Sequence, residues 1–432
     1  MYEETIDNIL SLKDKDKKKL KNSFWKPYFD EDIRLNKSQY TRNLRILILN
    51  APCNGFGDLI FSLKLSNYLK EWYDSHVTIA TTLESGLLNL GADPQYVVGL
   101  VTGSKKQCRR FNRLTLNKEI PKQDLIFVAP VQMDFDHSIT DVKKLIPYAT
   151  EFNTFSFSEY NDSLRKNFTF NTGIGKNRDG IFLTTNTTGN KLLSLPNPYS
   201  LIYVAETIDG VDKCMMAFIE LISIKYHKIH RRLDVVVPSW FDEHFEDILY
   251  NNKFKNIIKF YPNIRIATKD NGLHIIRSDV SGNILTFRSD ILPVENKVMM
   301  DLMSNSINDI LLTGDQSITD ALSCCSTKNI FYQIAPWKKD FAKNLATYMP
   351  NIFLKSVKTS CGTLKALKYK SNYFNFVKNN DFRLIGKTKL DAILLSSISM
   401  KHNADISDLV SLVNKTPNIK ILKSKIRKMI EY

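Results

Sequence analysis

The sequence is short of paired cysteines, of long apolar runs and of clustered histidines, and each shortage narrows the function. Its six cysteines, Cys53, Cys108, Cys214, Cys324, Cys325 and Cys361, form no C-x-x-C pair, and Cys324 and Cys325 are adjacent in an apolar stretch. That pattern excludes a disulfide-stapled miniprotein and a zinc finger, and it reads as reduced, mostly buried thiols. No apolar run approaches the roughly 18–20 residues of a membrane-spanning helix, so no transmembrane segment is expected. The first residues are acidic, then amphipathic, then charged, without the basic start and cleavage site of a signal peptide. The expected compartment is therefore the cytoplasm. No internal repeat with a period of about 20–50 residues is present, which removes solenoids and propellers.

What is present is material for real cores. The chain has 432 residues, 43% of them hydrophobic, with 25 Phe and 18 Tyr. At roughly 100–200 residues per domain this length implies two domains or three, and intrinsic disorder is excluded. Sixty Lys and Arg oppose 45 Asp and Glu, a net charge of +15. The excess is mostly lysine, accompanied by much Asn and Ile, as coding bias in an AT-rich genome produces. Its densest runs, Lys13 to Lys21 and Lys415 to Lys428, lie near the two ends. No basic zipper or aromatic RNA-binding signature accompanies it, so nucleic acid is not the expected partner.

Residues 1–40 read as a helical, lysine-rich extension. From Arg45 short apolar runs alternate with helical patterns, which predicts right-handed βαβ units and a parallel sheet. Strands are expected at 45–49, 77–80, 97–101 and 124–130, with helices after Asp58, over 85–90 and over 138–148. A segment rich in Asn, Thr, Ser and Gly interrupts the rhythm, and a domain boundary is placed at 170/171. A second alternating series follows to residue 352, with strands expected at 181–185, 201–205, 233–238, 309–313 and 329–334. Residues 353–432 read as a helical extension. The expected fold class is α/β: two Rossmann-like domains, 41–170 and 171–352, facing a central cleft, with helical terminal extensions.

Two turns carry candidate chemistry. Asn54-Gly55-Phe56-Gly57-Asp58 lies between the first strand and its helix. Its glycines let backbone approach a ligand, and the helix start offers free N–H groups to an anion. The same Asp58 also suits a plain helix cap. Gly314-Asp315-Gln316-Ser317 follows a strand deep in the second half, where Gly314 permits a tight turn and Ser317 can cap the next helix. Such a turn suits a diphosphate, with Asp315 or Gln316 available to sugar hydroxyls; an ordinary capped turn is the plainer alternative.

With these residues, the chain resembles a glycosyltransferase of the GT-B kind. Asn54–Leu69 is similar to the Gly-Asp loop and first helix of heptosyltransferases, and more so to the loop of bacterial protein-arginine rhamnosyltransferases. Gly314–Ser317 with Ile330–Pro336 is similar to the donor-binding turn and following strand of the latter. The resemblance covers about 70 residues in two blocks. It implies a metal-independent transfer of sugar from a nucleotide-diphosphate donor to an unidentified acceptor, without a cofactor. It implies Asp58 as general base, with Asn54, Gly55, Phe56 and Gly57 on the acceptor side. Donor contacts would come from Gly314, Asp315, Gln316, Ser317 and Lys338. The chain departs from the pattern at Gln316, where the family has a second acid, and at Ile60, where it has glycine.

Other features compete. Asp134-Phe-Asp136 is a D-x-D, the metal-chelating signature of the other common glycosyltransferase fold; with His137 it is placed on the acceptor side of the cleft, and no metal is assigned to it. His227 and His230 lack a third ligand nearby. Gly173-Ile-Gly175-Lys176 does not complete a phosphate loop and reads as a linker turn. Two other functions remain open: an inactive scaffold of this fold binding an acidic protein or nucleic acid, and a sugar-nucleotide epimerase or hydrolase.

Overall fold

The computed structural model describes residues 44–52, 56–102, 114–131, 139–151, 153–162, 169–184, 192–279, 281–325, 328–349 and 352–369. The extension expected over 1–40 lies outside them. No helix among the described residues is long and apolar enough to cross a membrane.

The first half is built from β1 (Arg45–Asn50), α1 (Phe56–Tyr73), β2 (His76–Thr81), α2 (Glu84–Asn89), β3 (Val97–Thr102), β4 (Leu114–Leu116), β5 (Leu125–Val128), α3 (Ile139–Leu145) and β6 (Thr154–Ser156). Its sheet has the order β4-β3-β2-β1-β5-β6, parallel except for β4. The unbroken apolar run of β1 follows from burial on both faces. Ile46 and Ile48 pack with Leu59, Phe61, Leu65 and Leu69 of α1, whereas Leu47 and Leu49 pack with Val142 and Ile146 on the other side.

The second half contains β7 (Tyr199–Tyr203), α4 (Val211–Tyr226), β8 (Arg232–Val236), α5 (Phe241–Tyr250), α6 (Lys255–Ile258), β9 (Asn263–Thr268), β10 (Gly272–Arg277) and β11 (Ile284–Arg288). It continues through α7 (Asn296–Asn305), β12 (Asp309–Thr313), α8 (Gln316–Cys324), β13 (Asn329–Gln333), α9 (Lys339–Tyr348), β14 (Ile352–Lys358) and β15 (Thr363–Tyr369). The sheet order is β10-β9-β11-β8-β7-β12-β13-β15-β14, with a parallel centre from β9 to β13 and antiparallel edges. Two parallel-rich sheets with interleaved helices are the α/β architecture that the alternating pattern implied.

One apolar core runs between the halves. It joins Ile46, Phe61 and Tyr68 of the first to Leu201, Ile310, Ile318 and Phe341 of the second. The connecting segment supplies much of its aromatic content: Phe157 stacks on Phe170 at 4.2 Å, and Phe182 meets the ring of Phe61 edge-on at 4.9 Å.

Two expectations are corrected here. Ile181–Leu183 is buried but joins no strand ladder. Side chains bond part of its backbone instead: the Phe182 N–H donates to Tyr160 Oη at 2.5 Å, and Tyr68 Oη donates to the Leu183 carbonyl at 2.6 Å. Thr185, the last residue of that expected strand, lies outside the described residues. The region from 353 begins with a β-hairpin, not a helix, and β15 pairs antiparallel with β13. Glu220 of α4 anchors the hairpin turn, accepting from the Cys361 N–H at 2.9 Å and from Ser360 Oγ. Residues 370–432 lie outside the described residues. The four described cysteines, Cys214, Cys324, Cys325 and Cys361, are free thiols.

Candidate functional site

In open parallel sheets, ligands bind beyond the carboxyl ends of the strands, where the strand order reverses. The first sheet runs from β1 outward through β2 and β3, then returns to β5 on the opposite side of β1. Its crevice therefore lies between the segments leaving β1 and β5. Asn54 and Gly55 fall in the first segment and Asp134, Asp136 and His137 in the second; all five lie outside the described residues. The second sheet runs from β7 to β8 and outward, then returns to β12 beside β7. Its crevice lies between the loop after β7 and Gly314-Asp315. Each sequence-predicted turn thus leaves a strand at a point of reversal.

The frame of the first crevice rests on a residue that the sequence motifs did not single out. Asn50 ends β1 and is fully buried. Its Nδ2 lies 2.8 Å from Ser62 Oγ, 3.0 Å from the Ala129 carbonyl and 3.1 Å from the Asp58 carbonyl. Thr81 Oγ1 donates to its Oδ1 at 3.1 Å, and Ser62 Oγ donates to the Ala129 carbonyl at 2.6 Å. One amide thereby fixes the ends of β1, β2 and β5 against the first turn of α1. The only sequence signal was a polar residue closing an apolar run. Asp58 is the third residue of α1, half-buried, so its charge faces the positive end of that helix rather than standing at the cap position. Phe56 is exposed at the helix start.

The second turn is tightly bound. Gly314 has φ +75°, where a side chain would strain the backbone. The helix α8 starts one residue before Ser317, so Asp315 takes the cap position that the sequence suggested for Ser317, though without a side-chain cap bond. The Asp315 carboxylate is instead 2.7 Å from Lys338 Nζ, which is also 2.7 Å from Glu159 Oε2. Burial works against the Lys338 charge, but the two carboxylates outweigh it and hold its pKa well above the usual lysine value. Lys338 is thus committed inside the protein. Asp162, beside this group, accepts from the Glu159 N–H at 3.1 Å. Burial and repulsion from Glu159 push its pKa up to about 6, against the pull of Lys338. Tyr332 Oη is buried with no hydrogen-bond partner among the described residues, and burial raises its phenol.

A second lysine crosses between the halves. Lys64 of α1 is buried, pairs with Asp320 of α8, and donates to Gln316 Oε1 at 3.2 Å. Thr184 Oγ1 donates to the same Asp320. A Cβ placed on Gly57 would stand 3.9 Å from Gln316 Cγ. The amino ends of α1 and α8 therefore approach each other at Gly57 and Gln316, one residue from each of the two predicted turns. At the far lip of the second crevice, His244 Nε2 lies 3.1 Å from Glu206 Oε1 and its Nδ1 3.8 Å from Asp212. The bond to Glu206 raises the His244 pKa.

The remaining sequence features resolve simply. His227 turns its ring onto the carbonyls at the end of α4, and no metal-binding group of His, Cys, Asp or Glu occurs among the described residues. Gly173 and Gly175, with φ +121° and +131°, form a turn closed by a bond from the Gly173 N–H to the Gly180 carbonyl.

No protein-family model matches the chain, and no curated protein matches it. Among solved structures, the chain is similar to an alpha-glucosyltransferase in complex with UDP and a 13-mer DNA containing a HMU base. The two are 10% identical, with 90% of this chain and 100% of that chain covered and a TM-score of 0.36.

Proposed function

We propose that this protein is a glycosyltransferase of the GT-B kind, moving a sugar from a nucleotide-diphosphate donor to an acceptor nucleophile between its two halves. The observation that carries this reading is the meeting of two strand-to-helix turns, one from each sheet, both at points of strand reversal and with Gly57 and Gln316 in near contact. The donor diphosphate would lie at the amino end of α8, where the amides of Gln316 and Ser317 oppose the charge that develops on the leaving group. Lys338 takes a revised role: by neutralising Asp315 it leaves the Gly314 turn able to accept an anion. The acceptor would enter beside Asn54-Gly55-Phe56-Gly57, with Asp134 and His137 on the same side. Its proton would pass to the Asp58 carboxylate as the acceptor bonds the anomeric carbon. The bond from that carbon to the diphosphate oxygen breaks, and the nucleoside diphosphate leaves with the electron pair. Asp58 suits this step because an ordinary aspartate is ionised at neutral pH.

The reading assigns no metal, so turnover survives chelation. A thermal-shift panel of nucleotides and nucleotide-sugars tests it. Selective stabilisation by one nucleoside diphosphate and its sugars is expected, and indifference to all of them overturns it. Salt-sensitive binding of nucleic acid without nucleotide affinity would favour the scaffold reading instead.

A further inference from the structure

We infer that the donor site is linked to a proton: an anion seated at the amino end of α8 draws a proton into the carboxylate group that the connecting segment brings to Asp315, and Asp162 receives it. The linkage rests on the donor placement proposed above.

The group is assembled from distant parts of the chain. Asp315 stands at the start of α8 but makes no cap bond to the helix amides; its carboxylate lies 2.7 Å from Lys338 Nζ. Lys338, in the turn between β13 and α9, also lies 2.7 Å from Glu159 of the connecting segment. Asp162 belongs to the turn that Glu159 opens. It accepts from the Glu159 N–H at 3.1 Å, and its own N–H donates to the Glu159 carbonyl at 3.3 Å. Arg178 donates to the carbonyls of Asp162 and Thr172, with Asp179 and Asp340 also facing it. Among the described residues, the charges that face Asp162 are therefore the anions Glu159 and Asp315 and the cations Lys338 and Arg178. Two phenols, Tyr160 and Tyr332, face Asp315, and burial raises both, so neither exchanges a proton near neutral pH.

Asp162 is the carboxyl placed to take the proton. Lys338 contacts Asp315 and Glu159 directly and reaches Asp162 only at longer range. Burial and repulsion from Glu159 bring Asp162 to about 6, within reach of neutral pH. A diphosphate at the amides of Gln316 and Ser317 adds negative charge beside Asp315. A nearby charge of like sign makes a carboxyl hold its proton more tightly, so the pKa rises further on binding. By reciprocity the protonated protein binds the anion more tightly, and affinity rises as pH falls from neutrality through about 6. A rise of about one unit gives a coupling of about tenfold, with uptake of about half a proton midway between the free and bound values.

Isothermal titration calorimetry of the full chain with UDP-glucose, ADP-glucose, GDP-mannose and dTDP-glucose tests the linkage. Their diphosphate charge is the same at acidic and neutral pH, so any uptake belongs to the protein. At pH 6.5, in MES and in imidazole, which differ in ionisation enthalpy, the sugar nucleotide that binds should bring in about half a proton. Its affinity should be about three- to tenfold higher at pH 5.5 than at pH 7.5. Asp162→Asn should bind with little uptake and with an affinity that changes little with pH. His244→Gln, which removes the titrating ring at the far lip of the crevice, should keep the wild-type uptake. Wild-type binding without buffer dependence, uptake that survives in Asp162→Asn, or uptake lost in His244→Gln overturns the linkage and leaves the donor reading standing. Binding of none of these nucleotide-sugars overturns both.

Discussion

Replacing Lys338 by methionine removes a cation that pairs with both Asp315 and Glu159 across the two halves. The side chains of Lys338 and Asp315 are 10% and 11% exposed, and that of Glu159 is 24% exposed. Breaking a buried pair by deleting one partner costs about 3–5 kcal/mol, mostly because the remaining charge is stranded. Glu159 can turn toward water, so Asp315 carries most of that cost, and a loss of about 3 kcal/mol is expected. The effect has a definite pH signature. Without the lysine, the stranded carboxyls hold their protons more tightly folded than unfolded, so the variant gains stability relative to wild type as pH falls. Urea denaturation at pH 7.5 and pH 4.5 therefore gives a large difference at the higher pH and a smaller one at the lower. The double variant Lys338→Met with Asp315→Asn should recover much of the loss. A change under about 1 kcal/mol that is the same at both pH values would refute the buried-cluster argument.

Three further outcomes follow from neighbouring geometry. Asp162, with a pKa near 6 folded against 3.8 ordinarily, binds a proton more tightly in the fold, so stability falls as pH rises between those values; Asp162→Asn should remove that slope and stabilise the protein at pH 7 by about 1–3 kcal/mol, read from urea midpoints. Asn50→Ala should cost about 2–4 kcal/mol in the same assay, since it orphans the buried groups that Asn50 joins. Gly314→Ala meets no atom within 4 Å, so its cost is that of φ +75° alone, about 1–2 kcal/mol, and a larger loss would indicate a clash that the structure does not contain.

Much of the fold was legible because both sheets are centred on parallel strands buried on two faces. Ile46–Leu49 and Ile310–Leu312 are apolar without interruption, and the helices between such runs follow by length and pattern. The two misreadings have separate causes. Ile181–Leu183 has the composition of a buried strand, but apolar content reports burial and not who supplies the hydrogen bonds; here Tyr160 and Tyr68 supply part of them. Ile352–Lys358, at the sheet edge, and Thr363–Tyr369 beside it are strands whose lysines dilute the apolar signal, and the helical patterns farther on drew them into a helical reading. Of the site, Gly57, Asp58, Gly314 and Gln316 were visible as turn chemistry. The partners of Asp315 and Lys338 were not, because Glu159 lies 179 residues before Lys338 and only the packing of the halves joins them. Lys64 gave no signal either: a lysine within an apolar helix reads as a solvated face until Asp320 and Gln316 are seen beneath it.

Release of nucleoside diphosphate from a nucleotide-sugar, followed with wild type, Asp58→Asn and Asp58→Ala, decides whether the meeting of the two turns is an active site. Acceptor-dependent release is expected from the wild type, with a loss of about a hundredfold or more in both variants and nearly unchanged stabilisation by the donor. Release by Asp58→Ala at the wild-type rate would contradict the role given to Asp58. Failure of the wild type to bind any nucleotide-sugar would contradict the placement of a donor between the halves.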